Sequence, residues 1–262
     1  MLTVFAWNSL PRRPIVIAHR GASSTAPENT LASFEEAMKA GTDAIELDAQ
    51  LTNDNAVVVI HDKRLDRTTN GRGRIRDHTL SSIQSYSAGA WFHKKFAKER
   101  VPAIEEVFEI VRGRVGINIE LKQEPGVPDA ELLKQTLHVI KNFRAGEYVL
   151  LSSFHHGLIK LVREFDSTIM TGILYHVLSH APLSRLRLTK KASAQFFLCS
   201  KRAITQRSVS SLHKHNILTG VYTVNSEREC QKMLRFGVDC LFTDDPAAIV
   251  GLIAQQKNTT FG

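Results

Sequence analysis

Residues 44–61 read AIELDAQLTNDNAVVVIH, and this stretch decides how the rest of the chain is interpreted. The run at 44–48 is apolar with two acids. The turn-forming residues 52–55 separate it from a second apolar run at 57–60. A parallel crossover needs about a dozen residues or more, so the second run must return antiparallel as a hairpin strand. This hairpin brings His61 opposite residues 46–48.

Outside the hairpin, apolar runs typical of strands alternate with helical patterns, which predicts a parallel sheet. Eight such units in 262 residues favour an α/β fold, a (β/α)8 TIM barrel with an extra hairpin strand; a doubly wound open sheet is the alternative. The predicted barrel strands are 15–18, 44–48, 115–121, 149–151, 169–174, 196–199, 218–224 and 240–242. The predicted helices are 31–40, 104–112, 130–143, 158–164, 182–190, 206–215, 227–236 and 247–254.

Residues 62–102 lack this alternation and are interpreted as an insertion over the C-terminal end of the barrel, within a single domain that spans residues 1–262. Between Asp62 and Arg100 the insertion carries 10 Lys and Arg residues against 4 Asp and Glu residues. The resulting excess, 10 − 4 = +6, is most of the chain's net charge of +8. Such a segment is either a solvated surface or a patch that attracts phosphoesters, nucleic acid or a lipid surface.

The composition is that of a globular protein, with 43% hydrophobic and 23% charged residues, and it excludes a disordered or collagen-like chain. No apolar stretch reaches the length of about 18 residues that a membrane-spanning helix needs. The short apolar run at residues 2–7 precedes Arg12 and Arg13, whereas a signal peptide has its basic residues first, so none is expected. The three cysteines are far apart, which favours a reducing, cytoplasmic location over a disulfide framework.

A pI of about 9.5 raises the question of nucleic-acid binding. The basic residues are not interleaved with stacking aromatic residues, and the sequence contains no recognised nucleic-acid-binding motif. A nucleic-acid partner is therefore not expected.

Glu46 and Asp48 lie two residues apart on one predicted strand, so both side chains point to the same face. Inside a barrel they would repel each other and resist the loss of water unless a cation lay between them. The alternative is that they face solvent at a sheet edge. Glu120 and Lys122 repeat this spacing at the end of the next barrel strand, with Asn118 on the same face. Three oxygen donors from two strands favour Mg²⁺ or Ca²⁺ over zinc.

His19 and Arg20 end the first predicted strand, at the rim where barrel enzymes carry their active sites. Histidine titrates near neutral pH and suits proton transfer, and the planar guanidinium of arginine fits phosphate oxygens. A lone histidine at a strand end is usually structural, but His19 and His61 converge on the same carboxylates. The other nine histidines are interpreted as surface or loop residues.

Several short motifs occur in a fixed order between about residues 15 and 250. They are His19-Arg20-Gly21, Pro27-Glu28-Asn29-Thr30, Glu46-Leu47-Asp48, His61-Asp62, Leu65-Asp66-Arg67-Thr68-Thr69-Asn70-Gly71, Pro102 before Glu105-Glu106, Glu120-Leu121-Lys122, Ser153-Phe154, Tyr222-Thr223-Val224-Asn225, and Gly237-Val238-Asp239 before Thr243-Asp244. Each motif alone is weak. Together and in this order, they make the chain resemble the glycerophosphodiester phosphodiesterases over nearly its whole length.

This resemblance implies a TIM barrel of the phosphatidylinositol-phospholipase-C-like kind, with the insertion after His61. It implies hydrolysis of a small-molecule glycerophosphodiester to an alcohol and sn-glycerol 3-phosphate, with one divalent cation, Mg²⁺ or Ca²⁺, as cofactor. The attacking oxygen is either water or the glycerol 2-hydroxyl through a cyclic phosphate, and analogy with related phospholipase barrels favours the cyclic route.

The resemblance also implies roles for individual residues. Tyr222 stands where most members have tryptophan, which affects the shape of the pocket for glycerol or the alcohol. Glu28 supports the site by orienting Arg20 or a ligand. The remaining roles are metal ligation by Glu46, Asp48 and Glu120, acid–base catalysis by His19 and His61, and phosphate binding by Arg20 and Lys122.

Two other functions on the same barrel are considered. One is a lysophospholipase D-type phosphodiesterase acting on lysolipids, because the basic insertion with Trp91, Phe92 and Phe96 could meet a lipid headgroup and give peripheral membrane contact. The other is an inactive barrel that only binds phosphoesters. The presence of every proposed metal ligand and of both histidines argues against it. The sequence indicates no oligomeric state.

Overall fold

Nine strands form a single sheet in the computed structural model, which describes residues 4–11, 14–123, 129–180 and 183–259. β1 pairs in parallel with β2 on one side and with β9 on the other, so eight parallel strands close into a barrel and β3 lies outside it, antiparallel to β2. The (β/α)8 prediction is confirmed, and the closure excludes the doubly wound open sheet. The strands are β1 (Ile15–Ala18), β2 (Ala44–Leu51), β3 (Val57–Val59), β4 (Gly116–Leu121), β5 (Val149–Ser153), β6 (Met170–Tyr175), β7 (Phe196–Ser200), β8 (Leu218–Tyr222) and β9 (Cys240–Thr243).

The helices pack around the barrel or lie in the connections at its ends. Within the described residues they are α1 (Leu31–Lys39), α2 (Leu80–Gln84), α3 (Ile104–Val111), α4 (Asp129–Asn142), α5 (His156–Phe165), α6 (Val177–His180), α7 (Arg185–Lys191), α8 (Gln206–His213), α9 (Glu227–Phe236) and α10 (Pro246–Thr259). Two 3-10 turns, Ile75–Asp77 and Lys94–Phe96, lie in the insertion. No helix of this described part is long and apolar enough to cross a membrane.

The predicted helix at 182–190 is wrong at its start. The helix begins at Arg185, because the Ser184 hydroxyl accepts a hydrogen bond from the Arg187 amide and so forms the N-cap. Pro182 lies outside the described residues, as do Arg12 and Arg13.

The hairpin has the predicted register. The Ile60 amide donates to the Asp48 carbonyl at 2.9 Å, and His61 follows directly. β2 continues past its predicted end because its last three residues pair with β3. The buried Gln50 side chain then donates to three successive carbonyls, those of residues 60–62, at 2.9, 3.0 and 2.7 Å. The path of the chain around His61 is therefore held by backbone and side-chain hydrogen bonds together.

The barrel interior changes from apolar to polar toward the C-terminal ends of the strands. Near the N-terminal ends, Ile17, Ala44 and Phe196 belong to one buried apolar cluster. Further along β2, the alternation of the strand turns Glu46 and Asp48 to the same inner side as Ala44. This layering puts the buried acids at the face where barrel enzymes carry their sites.

The insertion after β3 also lies at this C-terminal face. The Glu99 carboxylate accepts a hydrogen bond from the Ala32 amide, at the start of α1, at 3.3 Å. The His78 carbonyl accepts one from Asn53, in the turn between β2 and β3, at 2.8 Å. The insertion shares a small apolar core with β3 and the residue after it: Val58 and Ile60 pack with the insertion residues Leu65, Ile75, Ile83, Ala88 and Val101.

Trp7 closes the opposite end of the barrel. It is fully buried, donates its indole N–H to the Tyr148 carbonyl at 2.9 Å and packs edge-on against Phe5 and Phe196. The sequence carried no signal for this role, because an isolated short apolar run has no periodicity that points to a partner.

We expect Trp7→Ala to lower the free energy of unfolding by about 3–5 kcal/mol, because it removes a large buried side chain and leaves a cavity. Urea denaturation followed by circular dichroism measures this loss. Val4→Ala is the matched control, since Val4 is half exposed and its truncation should cost less than about 0.5 kcal/mol. Equal effects of the two changes would contradict the role of Trp7 in closing this end of the barrel.

Candidate active site

A cavity of about 240 Å³ opens at the C-terminal end of the barrel. A wider groove of about 880 Å³ lies at the N-terminal ends of β5 and β6, beside Glu147 and Asp166, the end that serves stability in this fold. Of the predicted site residues, all except Glu28 and Asp48 line the smaller cavity. Its polar wall consists of His19, Arg20, Glu46, His61, Asn118, Glu120 and Lys122, and its apolar wall contains Phe154, Leu174, Tyr222 and Phe242.

Three carboxylates meet beneath the polar wall. Glu46 and Asp48 on β2 and Glu120 on β4 each offer an oxygen within 4.8 Å of the others, since Asp48 pairs with Glu120 across the two strands. Glu46 and Asp48 are only 3% and 1% exposed, so the alternative of a solvent-facing edge is wrong. Burial raises the pKa of Glu46 to about 8, with a contribution from the charge of Asp48, and burial also raises the pKa of Glu120.

Lys122 and Arg20 balance the negative charge of this cluster. Lys122 Nζ lies 2.8 Å from Asp48 Oδ1 and 2.6 Å from Glu120 Oε1, and Arg20 Nε lies 3.4 Å from Asp48 Oδ2. Burial alone would raise the pKa of Asp48, but the charges of Lys122 and Arg20 outweigh it and hold that pKa well below its usual range. Lys122, predicted to bind phosphate, thus contacts two of the predicted metal ligands.

Asn29 completes the surroundings of Asp48. Its Nδ2 donates to Asp48 Oδ2 at 2.8 Å, and its Oδ1 accepts from the Asp48 amide at 3.3 Å. Asn29 takes part in one of the motifs quoted above but was not predicted as a site residue, because nothing local shows that the loop after β1 folds over the end of β2.

His19 is oriented by an aspartate from the far end of the sequence. Its Nδ1 lies 2.7 Å from Asp244 Oδ1, and Asp244 also accepts hydrogen bonds from Asn225 at 2.6 Å and Ser23 at 3.2 Å. Burial lowers the pKa of His19, but the hydrogen bond to Asp244 and the charge of Glu46 outweigh it, so the pKa lies above its ordinary value. With Nδ1 occupied, Nε2 is the ring nitrogen left to meet a substrate.

His61 is held in the same way by its neighbour in sequence. His61 Nδ1 lies 2.7 Å from Asp62 Oδ1. Burial and the positive charges of Lys122 and Arg20 lower the pKa of His61 in spite of the opposing charge of Asp48. The two histidines thus have pKa values displaced in opposite directions, which is the arrangement that an acid–base pair uses.

Arg67, from the insertion, joins the two sides of the polar wall. Its Nε donates to Asp62 Oδ2 at 2.6 Å, and its two terminal nitrogens donate to the Glu28 carboxylate at 2.8 and 2.7 Å. Glu28 in turn accepts from Arg20 Nη1 at 2.8 Å. A continuous chain of charged groups therefore runs from Arg20 through Glu28, Arg67 and Asp62 to His61. Arg67, Asp62 and Asp244 all stand in the quoted motifs, which was the available signal, but they were not singled out as site residues.

Tyr222 lies in the apolar wall. Its hydroxyl donates to the Tyr175 carbonyl at 3.0 Å, and its ring lies 6.4 Å from the rings of both Phe154 and Phe242. Burial raises the pKa of Tyr222, so its hydroxyl stays protonated. The ring, and not the hydroxyl, is the part of Tyr222 that can contact a ligand in the cavity.

Buried carboxylates, two aspartate-bound histidines and two cationic side chains around one cavity at this end of a (β/α)8 barrel define an enzyme site for an anionic, phosphate-type substrate. Comparison with known proteins agrees with this class. The model of the glycerophosphoryl diester phosphodiesterase family matches residues 19–248. The chain belongs to this family and is an enzyme of this type.

Individual relatives span almost the whole chain. It is 37% identical over 247 residues to a glycerophosphodiester phosphodiesterase of Caldanaerobacter subterraneus, covering 92% of this chain and 98% of that one. It is also 37% identical to a glycerophosphodiester phosphodiesterase of Bacillus altitudinis, covering 92% and 99%. Among solved structures, an Oleispira antarctica phosphodiesterase in complex with the product sn-glycerol-3-phosphate matches with a TM-score of 0.87 and 28% identity, covering 92% of this chain and 97% of that one.

Proposed function

We propose that this enzyme hydrolyses water-soluble glycerophosphodiesters to an alcohol and sn-glycerol 3-phosphate, with a divalent cation and two histidines. The observation that carries the proposal is the pair of aspartate-bound histidines on the rim of the cavity that holds the carboxylate cluster. The product bound to the Oleispira antarctica relative supports the choice of substrate class.

Glu46, Asp48 and Glu120 would hold the cation, which is Mg²⁺ or Ca²⁺. The residues present fit such an ion, because carboxylate oxygens are ligands that both ions prefer. In addition, the buried Asn118 Oδ1 accepts no hydrogen bond within the described residues, although it belongs to the wall of the same cavity. When bound, the cation supplies positive charge to the non-bridging phosphate oxygens.

Arg20 and Lys122 would bind the phosphate beside the carboxylates. Glu28 fixes one end of the Arg20 guanidinium, and the carboxylates of Asp48 and Glu120 fix the Lys122 ammonium. Such donors are in place before the substrate arrives, so they stabilise the extra negative charge of the transition state at little cost of reorganisation.

His19 and His61 would transfer the protons. One takes a proton from the attacking hydroxyl, and the other gives a proton to the leaving alkoxide oxygen. They belong to different elements, the end of β1 and the chain after β3, which suits attack and departure on opposite sides of phosphorus. We favour attack by the glycerol 2-hydroxyl, whose cyclic phosphate product is then opened by water; phosphorus NMR of the reaction detects or excludes that cyclic ester.

The first experiment is the release of glycerol 3-phosphate from glycerophosphocholine, coupled to a dehydrogenase, with EDTA and then with added Mg²⁺ or Ca²⁺. We expect activity to be lost with the chelator and restored by one cation. No product with any cation would overturn the proposal. The same assay with lysophosphatidylcholine tests the lysophospholipase D alternative.

Arg67 offers a test of the charged chain that links Arg20 to His61. We expect Arg67→Met to lower kcat for glycerophosphocholine about 10²-fold, because it releases both Glu28 and Asp62 and so misplaces the groups that they hold. Arg67→Lys should recover part of the loss. Arg64→Met is the matched control, since Arg64 pairs with Asp66 at the surface of the same loop and, among the described residues, makes no ion pair with Glu28 or Asp62. An equal effect of the two methionine variants would contradict the coupling.

We also propose that residues 1–262 form one domain with residues 62–102 as its insertion, because the insertion packs against β3 and the start of α1. A cytoplasmic location is proposed from the cysteines: Cys199, Cys230 and Cys240 are all buried and free, as expected in a reducing compartment. Cell fractionation tests the location.

A further inference from the structure

Large exposed apolar side chains are concentrated at one end of the barrel. The described residues contain seven of them, and only Val4 and Phe165 lie away from this end. Phe154 follows β5, and Trp91 belongs to the insertion. The other three, Val177, Leu178 and Leu183, follow β6. Parallel barrel strands all end at the same face, and the insertion lies at that face too, so these five side chains belong to the end of the barrel where the cavity opens.

The segment that carries Val177 and Leu178 is held firmly against the cavity wall. The His180 side chain accepts a hydrogen bond from the His176 amide at 2.9 Å, and the His156 ring beside it is hydrogen-bonded at 2.9 Å to the carbonyl of Leu174, which lines the cavity. The rings of His180 and His156 stack with centroids 4.3 Å apart. Leu178 is nevertheless 88% exposed, so the fold presents this leucine to the outside on an anchored support.

The same face carries an unbalanced positive charge. Lys94, Lys95 and Lys98 are exposed, and none of them forms an ion pair in the part of the chain that the structure describes. They follow Trp91 closely in the sequence; Trp91 is 44% exposed, and its indole N–H donates to the Ala88 carbonyl at 2.9 Å. An apolar tip beside lysines with long aliphatic stems is the pattern of a surface that enters the headgroup region of a bilayer.

We propose that the C-terminal face of the barrel docks reversibly on an anionic lipid bilayer. Trp91, Val177 and Leu178 enter the headgroup region, while Lys94, Lys95 and Lys98 face the anionic lipid phosphates. The lysines would pair with the phosphates of a nucleic acid, but Val177 and Leu178 offer no aromatic ring on which its bases could stack.

Docking would bring the cavity to the bilayer, where its substrate is formed. A glycerophosphodiester is a phospholipid without its acyl chains, so a reaction that cleaves acyl esters must supply it, and that reaction takes place at a bilayer. The docking proposal does not depend on the hydrolytic mechanism, because lipid binding and hydrolysis of a soluble substrate are measured separately.

Co-sedimentation of the full chain with vesicles tests the proposal. We expect binding to vesicles of phosphatidylglycerol and phosphatidylcholine, weakening with added salt, and little binding to pure phosphatidylcholine. The triple variant K94E/K95E/K98E should bind the anionic vesicles about 10²-fold more weakly or worse. V177S/L178S should also bind them more weakly, through the loss of apolar contact.

The matched control is K134E/K141E/K214E, which makes the same change of charge at two exposed lysines of α4 and at the exposed lysine that follows α8. It should keep most of its affinity for vesicles. All three variants should hydrolyse glycerophosphocholine in vesicle-free solution like the wild type, which shows that they are folded.

Three results would overturn the docking proposal. They are failure of the wild type to bind anionic vesicles, an equal loss in the control triple variant, and a chain that is dimeric in solution and made monomeric by V177S/L178S. Absence of glycerophosphocholine hydrolysis by the wild type would instead overturn the proposed function and leave the lipid-binding result standing.

Discussion

His19→Ala and His61→Ala are each expected to lower kcat for glycerophosphocholine hydrolysis by about 10²–10⁴-fold, the usual size of a lost acid–base group. Each histidine has Nδ1 fixed by an aspartate at 2.7 Å, so the loss removes a positioned proton carrier and not a mobile surface group. Initial rates at saturating substrate measure the change in kcat, and added imidazole should restore part of it.

His213→Ala is the control for these variants. His213 also forms a hydrogen bond to an aspartate, with its Nε2 2.8 Å from Asp239 Oδ2, but it ends α8 and does not line the cavity. We expect this variant to keep nearly all of the activity. Near-normal turnover of either cavity variant would remove that histidine from the proposed mechanism.

Glu46→Gln is expected to weaken cation binding by at least about tenfold and to lower activity in parallel at limiting cation. Glutamine keeps the shape of the side chain and can still accept the hydrogen bond from the Arg20 amide, seen at 2.9 Å, so the fold should survive. Isothermal titration with Mg²⁺ and Ca²⁺ measures the affinity. Glu109→Gln, at an exposed carboxylate on α3, is the matched control.

The same titration has an expected pH dependence. Burial, with help from the charge of Asp48, raises the pKa of Glu46 to about 8, so the metal-free cluster holds a proton at neutral pH. A cation needs the ionised carboxylate and must displace that proton. Affinity should therefore rise with pH up to about 8 and then level off. An affinity in Glu46→Gln equal to that of the wild type would show that Glu46 is not a ligand.

Much of the fold could be predicted because its signals are local. The alternation of apolar runs and helical patterns depends on periods of two and of about 3.6 residues, which a short window of sequence contains. The hairpin followed from the length of one turn, and it correctly brought His61 beside β2. The start of α7 was missed because the Ser184 cap competed with an apolar pattern that began earlier.

The candidate site was predicted less completely, because several of its contacts join residues that are distant in the sequence. The shared face of Glu46 and Asp48 follows from strand geometry alone. The contact of Lys122 with two carboxylates depends on the register of β2 against β4. Arg67 binds Asp62, which in turn holds His61, and this contact depends on how the insertion folds back.

The sequence by itself determined the alternation of strands and helices, the hairpin and the presence of acids and histidines at strand ends, because each of these depends on residues that are close together in the chain. Only the tertiary structure decided that β1 pairs with both β2 and β9. That closure brings Asp244 to His19 across 225 residues and leaves the N-terminal end of the barrel for Trp7 to fill. These contacts join distant parts of the chain through the curvature of the closed sheet, and no local pattern contains that curvature.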